Sequence, residues 1–268
     1  MIIDAHVHIG HSLGLVFPPE MVLESMEKYN VDFALISNLD GSEVDFDQKL
    51  IPDEFRQKQT DINKKAIEFA RNYPDKIGIL LWGMPLKEEC DEEFEKLIAD
   101  NLDVVRGIKL HPYHNMTRFD SPKVQAYIEL ARKYDLAVMS HTACDEYSDC
   151  RQVYEMAKKY PDVRFVMAHA QLGSPDNQPA IDCLKERLPN LYADLAWVKP
   201  ENALRIVKEC GADCLLFGSD NPIDGVDTYA HPEFYQIYFN EFKNMVTDEE
   251  YQKIMHTNAE KVYKLKIQ

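Results

Sequence analysis

Eight apolar, β-rich runs recur along the chain, at 2–9, 31–37, 76–82, 104–110, 136–141, 163–169, 191–196 and 213–219, with helix-like sequence between successive runs. Strand then helix, repeated in this way, predicts a parallel sheet, because parallel neighbours need a crossover and the crossover is usually a helix. Eight such units in about 250 residues predict closure into a single (β/α)8 TIM-type barrel spanning residues 1–268. An open doubly wound sheet is the structural alternative, but it normally needs fewer strands, and no GxGxxG follows any of the runs.

The intervening segments carry their own signals. PPEMVLESMEKYN opens on prolines and places Met21, Val22, Ser25, Met26 and Tyr29 at helical spacing. DINKKAIEFARNYP does the same with Ile62, Ala66, Phe69 and Ala70, SPKVQAYIELARKYD has a Ser-Pro start, and Gly211 is placed to stop PENALRIVKECG. HPEFYQIYFNEF and TDEEYQKIMHTNAEKVYKL would finish the ring of helices, the second opening on a Thr247/Glu250 capping box, with their Tyr/Phe stripe read as core or subunit interface. The longest irregular piece, NLDGSEVDFDQKLIPDEFRQKQ, exceeds a usual βα connection, so it either contains a helix or covers a site as a lid.

Barrel enzymes carry their reactive groups at the C-terminal ends of the strands, and here those ends are chemically uniform. The first run ends in His6-Val7-His8, the fourth in Lys109-Leu110-His111, the fifth in His141, the sixth in His169 and the eighth in Asp220. Strand alternation places Asp4, His6 and His8 opposite Ile3, Ala5, Val7 and Ile9. By the same parity Lys109 and His111 share a face with Val105 and Gly107, while Arg106 sits awkwardly on the outer one. His141 goes with Ala137 and Met139, His169 with Phe165 and Met167, and Asp220 with Leu216 and Gly218. Several imidazoles beside a carboxylate are costly to gather unless something binds them, and a divalent metal is that partner. His6, His8, His141 and Asp220 would offer it three nitrogens and one oxygen and leave a position open for water.

Composition narrows the partners. With 46 acidic against 30 basic residues and a formal net charge of −16, a nucleic-acid backbone or an anionic membrane is disfavoured; the expected partner is a small-molecule substrate. No leader pattern and no apolar run of membrane-spanning length is visible, so a cytoplasmic protein is expected. Six scattered cysteines without a CxxC read as reduced thiols; Cys144, close after His141, reads as a semi-buried bystander. Aromatic residues in the C-terminal stretches would suit a homodimer.

The strings IIDAHVHIG, GIKLHP, VMSHTA, FVMAHA, LLFGSDNP and TNAEKVYKL resemble, in order and spacing, the amidohydrolase superfamily, particularly the branch that includes aminocarboxymuconate-semialdehyde decarboxylase. The resemblance covers nearly the whole chain, and it implies a barrel without the β-sandwich domain of larger members. It further implies that His6, His8, His141 and Asp220 ligate Zn²⁺ or a related divalent ion, and that His169 is an acid/base or oxyanion-stabilising residue. Binuclear members bridge two metals with a carboxylated lysine on the fourth strand. Lys109 stands at that place, so one ion is expected, or two if Lys109 is carboxylated.

The leading expectation is a metal-dependent hydrolase, because a bound ion can lower the pKa of water from 15.7 to about 7, whereas a general base alone contributes roughly 10² to 10⁴ in rate. Activated water would attack a carbonyl-type carbon, Asp220 would take and return the proton, and His169 would steady the oxyanion. Lys109 and His111 would hold an anionic group of the substrate. The same site could instead serve a non-oxidative decarboxylase, with Asp220 or His169 protonating carbon; Arg118 and Arg151 are the hint of carboxylate binding. A non-catalytic metal-binding protein is the reading from another class.

Overall fold

The computed structural model describes residues 1–222 and 234–267. Its eight parallel strands follow one another in chain order: β1 (Ile3–Ile9), β2 (Phe33–Asn38), β3 (Ile77–Trp82), β4 (Val105–Leu110), β5 (Ala137–Ala143), β6 (Arg164–Leu172), β7 (Leu191–Asp194) and β8 (Leu215–Leu216). β8 is short, yet the chain beyond it completes the ring against β1. Ala5 N–H donates to the Phe217 carbonyl at 3.0 Å, Asp220 N–H to the His6 carbonyl at 2.8 Å and His8 N–H to the Asn221 carbonyl at 2.7 Å. The fold is a single (β/α)8 barrel.

The crossover helices are α1 (Pro19–Tyr29), α2 (Gln59–Asn72), α3 (Glu92–Ala99), α4 (Pro122–Lys133), α5 (Cys150–Lys159), α6 (Gln178–Lys185) and α7 (Pro200–Cys210). Their ends use the residues that the sequence supplies. The Ser121 hydroxyl accepts the Val124 N–H at the start of α4, and α7 stops at Gly211, whose φ of 88° suits a residue without Cβ. Thr247 and Glu250 form the expected reciprocal cap.

Two apolar layers result. Ile3, Ala5, Leu35, Leu80, Met139, Val166 and Leu216 fill the barrel, while Val7, Ile9, Ile108, Leu110, Phe165 and Phe217 pack between strands and helices. The C-terminal segment does more than finish the outer ring. After α8 (Phe234–Gln236), it runs through α9 (Asp248–Gln252), a π turn (Lys253–Thr257) and α10 (Asn258–Tyr263). Ile254 and Met255 join the outer layer, whereas Ala259, Val262, Tyr263 and Leu265 turn under the barrel and close its lower end. Tyr235, Tyr238 and Phe242 of the aromatic stripe are core; residues 231–233 of that stretch lie outside the described residues.

Simple alternation fails at three strands, for physical reasons. In β1 the pairing with β2 jumps between Asp4 and Val7, so Ile3 and Ala5 face inward, Asp4 faces outward, and His6 and His8 then face inward. The Asp4 carboxylate accordingly leaves the site's face and accepts from the Tyr235 hydroxyl at 2.7 Å and from the Ser219 hydroxyl at 2.5 Å. This bulge keeps Val7 and Ile9 in the outer layer; a one-residue slip would forfeit about 1.5–3 kcal/mol for each. In β4 the register skips Arg106, which resolves its awkward parity, and its guanidinium returns to the carbonyls of Leu102, Asp103 and Val105. In β6, Phe165 and Met167 face the helices, and Val166 and Ala168 face inward. His169 reaches the interior because its backbone turns left-handed, with φ 68°, followed by Ala170 at 43° and Gln171 at 74°.

Candidate metal centre and its cavity

The strand ends open into a cavity of about 590 Å³ whose floor carries His6, His8, Lys109, His141, His169 and Asp220. Its walls are mostly apolar and include Leu15, Leu39, Phe46, Trp82, Leu172 and Trp197. The long segment after β2 begins with a single 3₁₀ turn, Leu39–Gly41, and supplies Leu39, Ser42 and Phe46 to the wall. Glu43 anchors this segment from beneath: its buried carboxylate accepts N–H bonds from Leu86, Lys87 and the Asn115 side chain.

Four atoms converge at the centre. His6 Nε2 lies 3.1 Å from His8 Nε2, 3.3 Å from Asp220 Oδ1 and 2.7 Å from Lys109 Nζ, and His8 Nε2 lies 2.9 Å from Asp220 Oδ1. Donor atoms on a tetrahedral ion with bonds of 2.0–2.1 Å sit about 3.3 Å apart, so the two imidazoles and the carboxylate fit one divalent ion. His6, His8 and Asp220 are all buried, and two neutral nitrogens with one anionic oxygen form a donor set that a cation satisfies. Asp220 reaches this position on a left-handed backbone, φ 61°. Its other oxygen, Oδ2, accepts the Trp197 indole N–H at 2.7 Å.

Electrostatics keep the cluster in ligating form. Burial foremost lowers His6 and His8, so both rings are neutral. Burial works to raise Asp220, but the hydrogen bond with His8 and the positive charge that His6, His8 and His169 carry at the low pH where this carboxyl titrates outweigh it and hold it well below its usual range. Lys109, almost wholly buried, is lowered by burial to about 8.

The remaining candidates surround this centre. His141 lines the same floor but is not among the atoms that converge; its ring stacks on His111 at 3.9 Å and meets His169 edge-on at 4.9 Å. Burial pushes both His111 and His141 well below the usual imidazole range. The His114 backbone N–H donates to His111 Nδ1 at 3.3 Å, which leaves the proton of the neutral ring on Nε2. His169, lowered by burial to about 4, faces the Ala196 carbonyl through Nδ1 at 3.3 Å, so its free lone pair is on Nε2. The two arginines considered for carboxylate binding lie elsewhere. Arg118 is held by Asp120 and Arg151 by Asp149 in exposed ion pairs, and neither lines the cavity. Cys144 is an exposed thiol at the cavity's edge rather than semi-buried.

Strand-end reading overlooked Asp194, the last residue of β7. Its fully buried carboxylate faces His6 Nδ1 at 2.9 Å and accepts the backbone N–H groups of His169 at 2.8 Å and Ala196 at 3.1 Å. Ser37, near the end of β2, was also missed; its hydroxyl lies 3.0 Å from His8 Nδ1. The signal that finds both is the strand-end rule applied to all eight strands.

A (β/α)8 barrel whose upper mouth gathers imidazoles and a carboxylate that could hold a divalent ion is the architecture of the amidohydrolase class. The chain belongs to the amidohydrolase family, whose model matches residues 3–265. Among solved structures it is similar to a 5-carboxyvanillate decarboxylase from Novosphingobium aromaticivorans complexed with manganese and 4-hydroxy-3-methoxy-5-nitrobenzoic acid, at 15% identity and a TM-score of 0.73, covering 99% of this chain and 96% of that one. It is also similar to a 2,6-dihydroxybenzoate decarboxylase from Rhizobium, at 16% identity, TM-score 0.69 and 98% coverage of each chain. A probable 2-pyrone-4,6-dicarboxylic acid hydrolase from Acinetobacter baumannii aligns at 16% identity and TM-score 0.65, covering 98% of this chain and 99% of that one. A search of curated proteins returns no significant sequence match. Among the described residues, no helix is long and apolar enough to cross a membrane.

Proposed function

We propose that the chain is a metal-dependent, non-oxidative decarboxylase acting on a small carboxylate with a planar apolar body. The observation that carries this is the convergence of His6 Nε2, His8 Nε2 and Asp220 Oδ1 at the floor of a cavity walled by flat rings. Trp82 stacks on His111 at 5.8 Å and 24°, and His111 on His141, a surface that suits a planar ligand. The decarboxylases among the similar structures support this direction over hydrolysis.

In this reading His6, His8 and Asp220 would hold one divalent transition ion, zinc or manganese, with His141 on the same floor as the further ligand. The ion supplies Lewis-acid polarisation of the bound carboxylate. Lys109 and the Nε2–H of His111 hold the substrate's anionic group. The bond between the substrate carbon and its carboxylate breaks, CO₂ departs, and the electron pair left on carbon takes a proton delivered through His169. His169 fits this role because its Nε2 can exchange a proton while Nδ1 stays on the Ala196 carbonyl.

Hydrolysis at the same centre is the second reading, favoured by the hydrolase among the similar structures. There Asp220 would accept a proton from water. One feature weighs against it: Asp220 Oδ2 already accepts the Trp197 N–H, so that oxygen is not free to take the proton of water. Screening the metal-loaded protein against small aromatic and unsaturated carboxylates in ²H₂O separates the two. Release of CO₂, with one deuterium at the vacated carbon and no net uptake of water, is the expected result; products that together retain every substrate carbon and have gained the elements of water would establish hydrolysis instead. A chain that holds the metal but turns over neither class would be a non-catalytic metal-binding protein.

A further inference from the structure

We propose that Asp194 is a positioning residue of the metal centre, locking His6 in one tautomer and setting the left-handed turn that brings His169 to the floor. The inference rests on the reading of His6 as a ligand through Nε2. A neutral imidazole that ligates through Nε2 carries its proton on Nδ1 and needs an acceptor there. Asp194 Oδ2 stands 2.9 Å from His6 Nδ1, and a carboxylate can only accept.

The other oxygen fixes the neighbouring element. Asp194 Oδ1 takes the backbone N–H of His169 at 2.8 Å and of Ala196 at 3.1 Å. The first bond falls on the residue where β6 leaves strand geometry, at φ 68°. Without that bond a non-glycine residue has little reason to remain left-handed, and ordinary alternation would send the His169 side chain out among the helices beside Phe165 and Met167. One carboxylate therefore orients two floor residues from different strands.

His6, His169 and Asp194 also lie close enough to hold an ion of their own. The structure argues against that use of Asp194. Its Oδ1 is taken by the two backbone N–H groups and its Oδ2 by His6 Nδ1 at 2.9 Å.

Asp194→Asn tests the proposal, since it keeps the shape but turns a donor towards His6 Nδ1 and so favours the wrong tautomer. Metal-free wild type and variant are titrated with Co²⁺, following the visible absorption, alongside His6→Gln and the double variant. Expected are one ion per chain in wild type and variant, binding weakened about 10- to 100-fold by Asp194→Asn, and a double variant no weaker than His6→Gln alone. Unchanged affinity, multiplying effects, or loss of one of two bound ions would overturn the proposal. Should Asp194→Asn fail to fold, the ring ¹⁵N shifts of His6 in metal-free wild type decide: Nδ1 protonated supports it, Nε2 protonated overturns it. None of these readouts involves turnover, so they stand apart from the choice of reaction.

Discussion

The indole N–H of Trp197 donates to Asp220 Oδ2 at 2.7 Å, so one oxygen of this carboxylate faces His6 and His8 while the other is held from the cavity wall. The bond fixes the carboxylate plane and withdraws charge from it. A hydrogen bond to a charged group is worth about 1.5–3 kcal/mol. Trp197→Phe should therefore keep the ring in the wall, retain bound metal in elemental analysis, and lower kcat roughly 10- to 100-fold. An unchanged kcat with loss of metal would show that the indole serves metal retention alone.

Removal of the metal should abolish turnover while leaving the barrel intact, because the centre contributes few of the apolar contacts that hold the strands and helices together. Far-ultraviolet circular dichroism should not change on chelation, whereas Tm should fall. At 100 times its Kd a ligand adds about 2.7 kcal/mol. Adding back Mn²⁺ or Zn²⁺ should restore both. Elemental analysis is expected to give one ion per chain, and intact mass an unmodified Lys109; two ions with added carboxylate mass would make Lys109 a bridge.

Glu43 predicts a pH dependence of stability away from the centre. Burial foremost pushes its carboxyl up to about 7 from an ordinary 4.5, against the N–H donors of Leu86, Lys87 and Asn115 that pull it down. Between those values the folded chain keeps a proton that the unfolded chain has released, so this contribution is full below pH 4.5 and is lost as pH rises through 7. The loss is on the order of 3 kcal/mol. Melts of metal-free protein at pH 5 and 7.5 should show wild type losing more stability over that interval than Glu43→Gln. Parallel behaviour of the two would contradict it.

Gly218→Ala should disturb the site by crowding alone. The new Cβ would lie 2.9 Å from the His6 Cβ and 3.2 Å from that of Asp194, both on buried residues. Overpacking of this kind costs about 1–3 kcal/mol. Lower Tm together with weaker metal binding is expected, and an alanine variant that binds metal as tightly as wild type would show that His6 can yield.

Much of this molecule was legible in one dimension. The alternation of strand and helix, the Ser121, Thr247 and Gly211 end signals, and the placing of His6, His8, Lys109, His141, His169 and Asp220 near one mouth all follow from local periodicity, which depends only on neighbouring residues. What local periodicity could not supply was the places where the backbone departs from it. Asp4 leaves the site because β1 bulges, and His169 enters it because β6 turns left-handed, although alternation had put Phe165 and Met167 beside it on the inner face. Asp194 is one carboxylate among 46 acidic residues until β7 sets it against His6, a partner 188 residues away. The sequence by itself determined which side chains are available and roughly which strand end each occupies. Only the tertiary structure decided which way each one faces and what it touches, because a bulge, a positive φ or a buried pairing is stabilised by contacts distant along the chain.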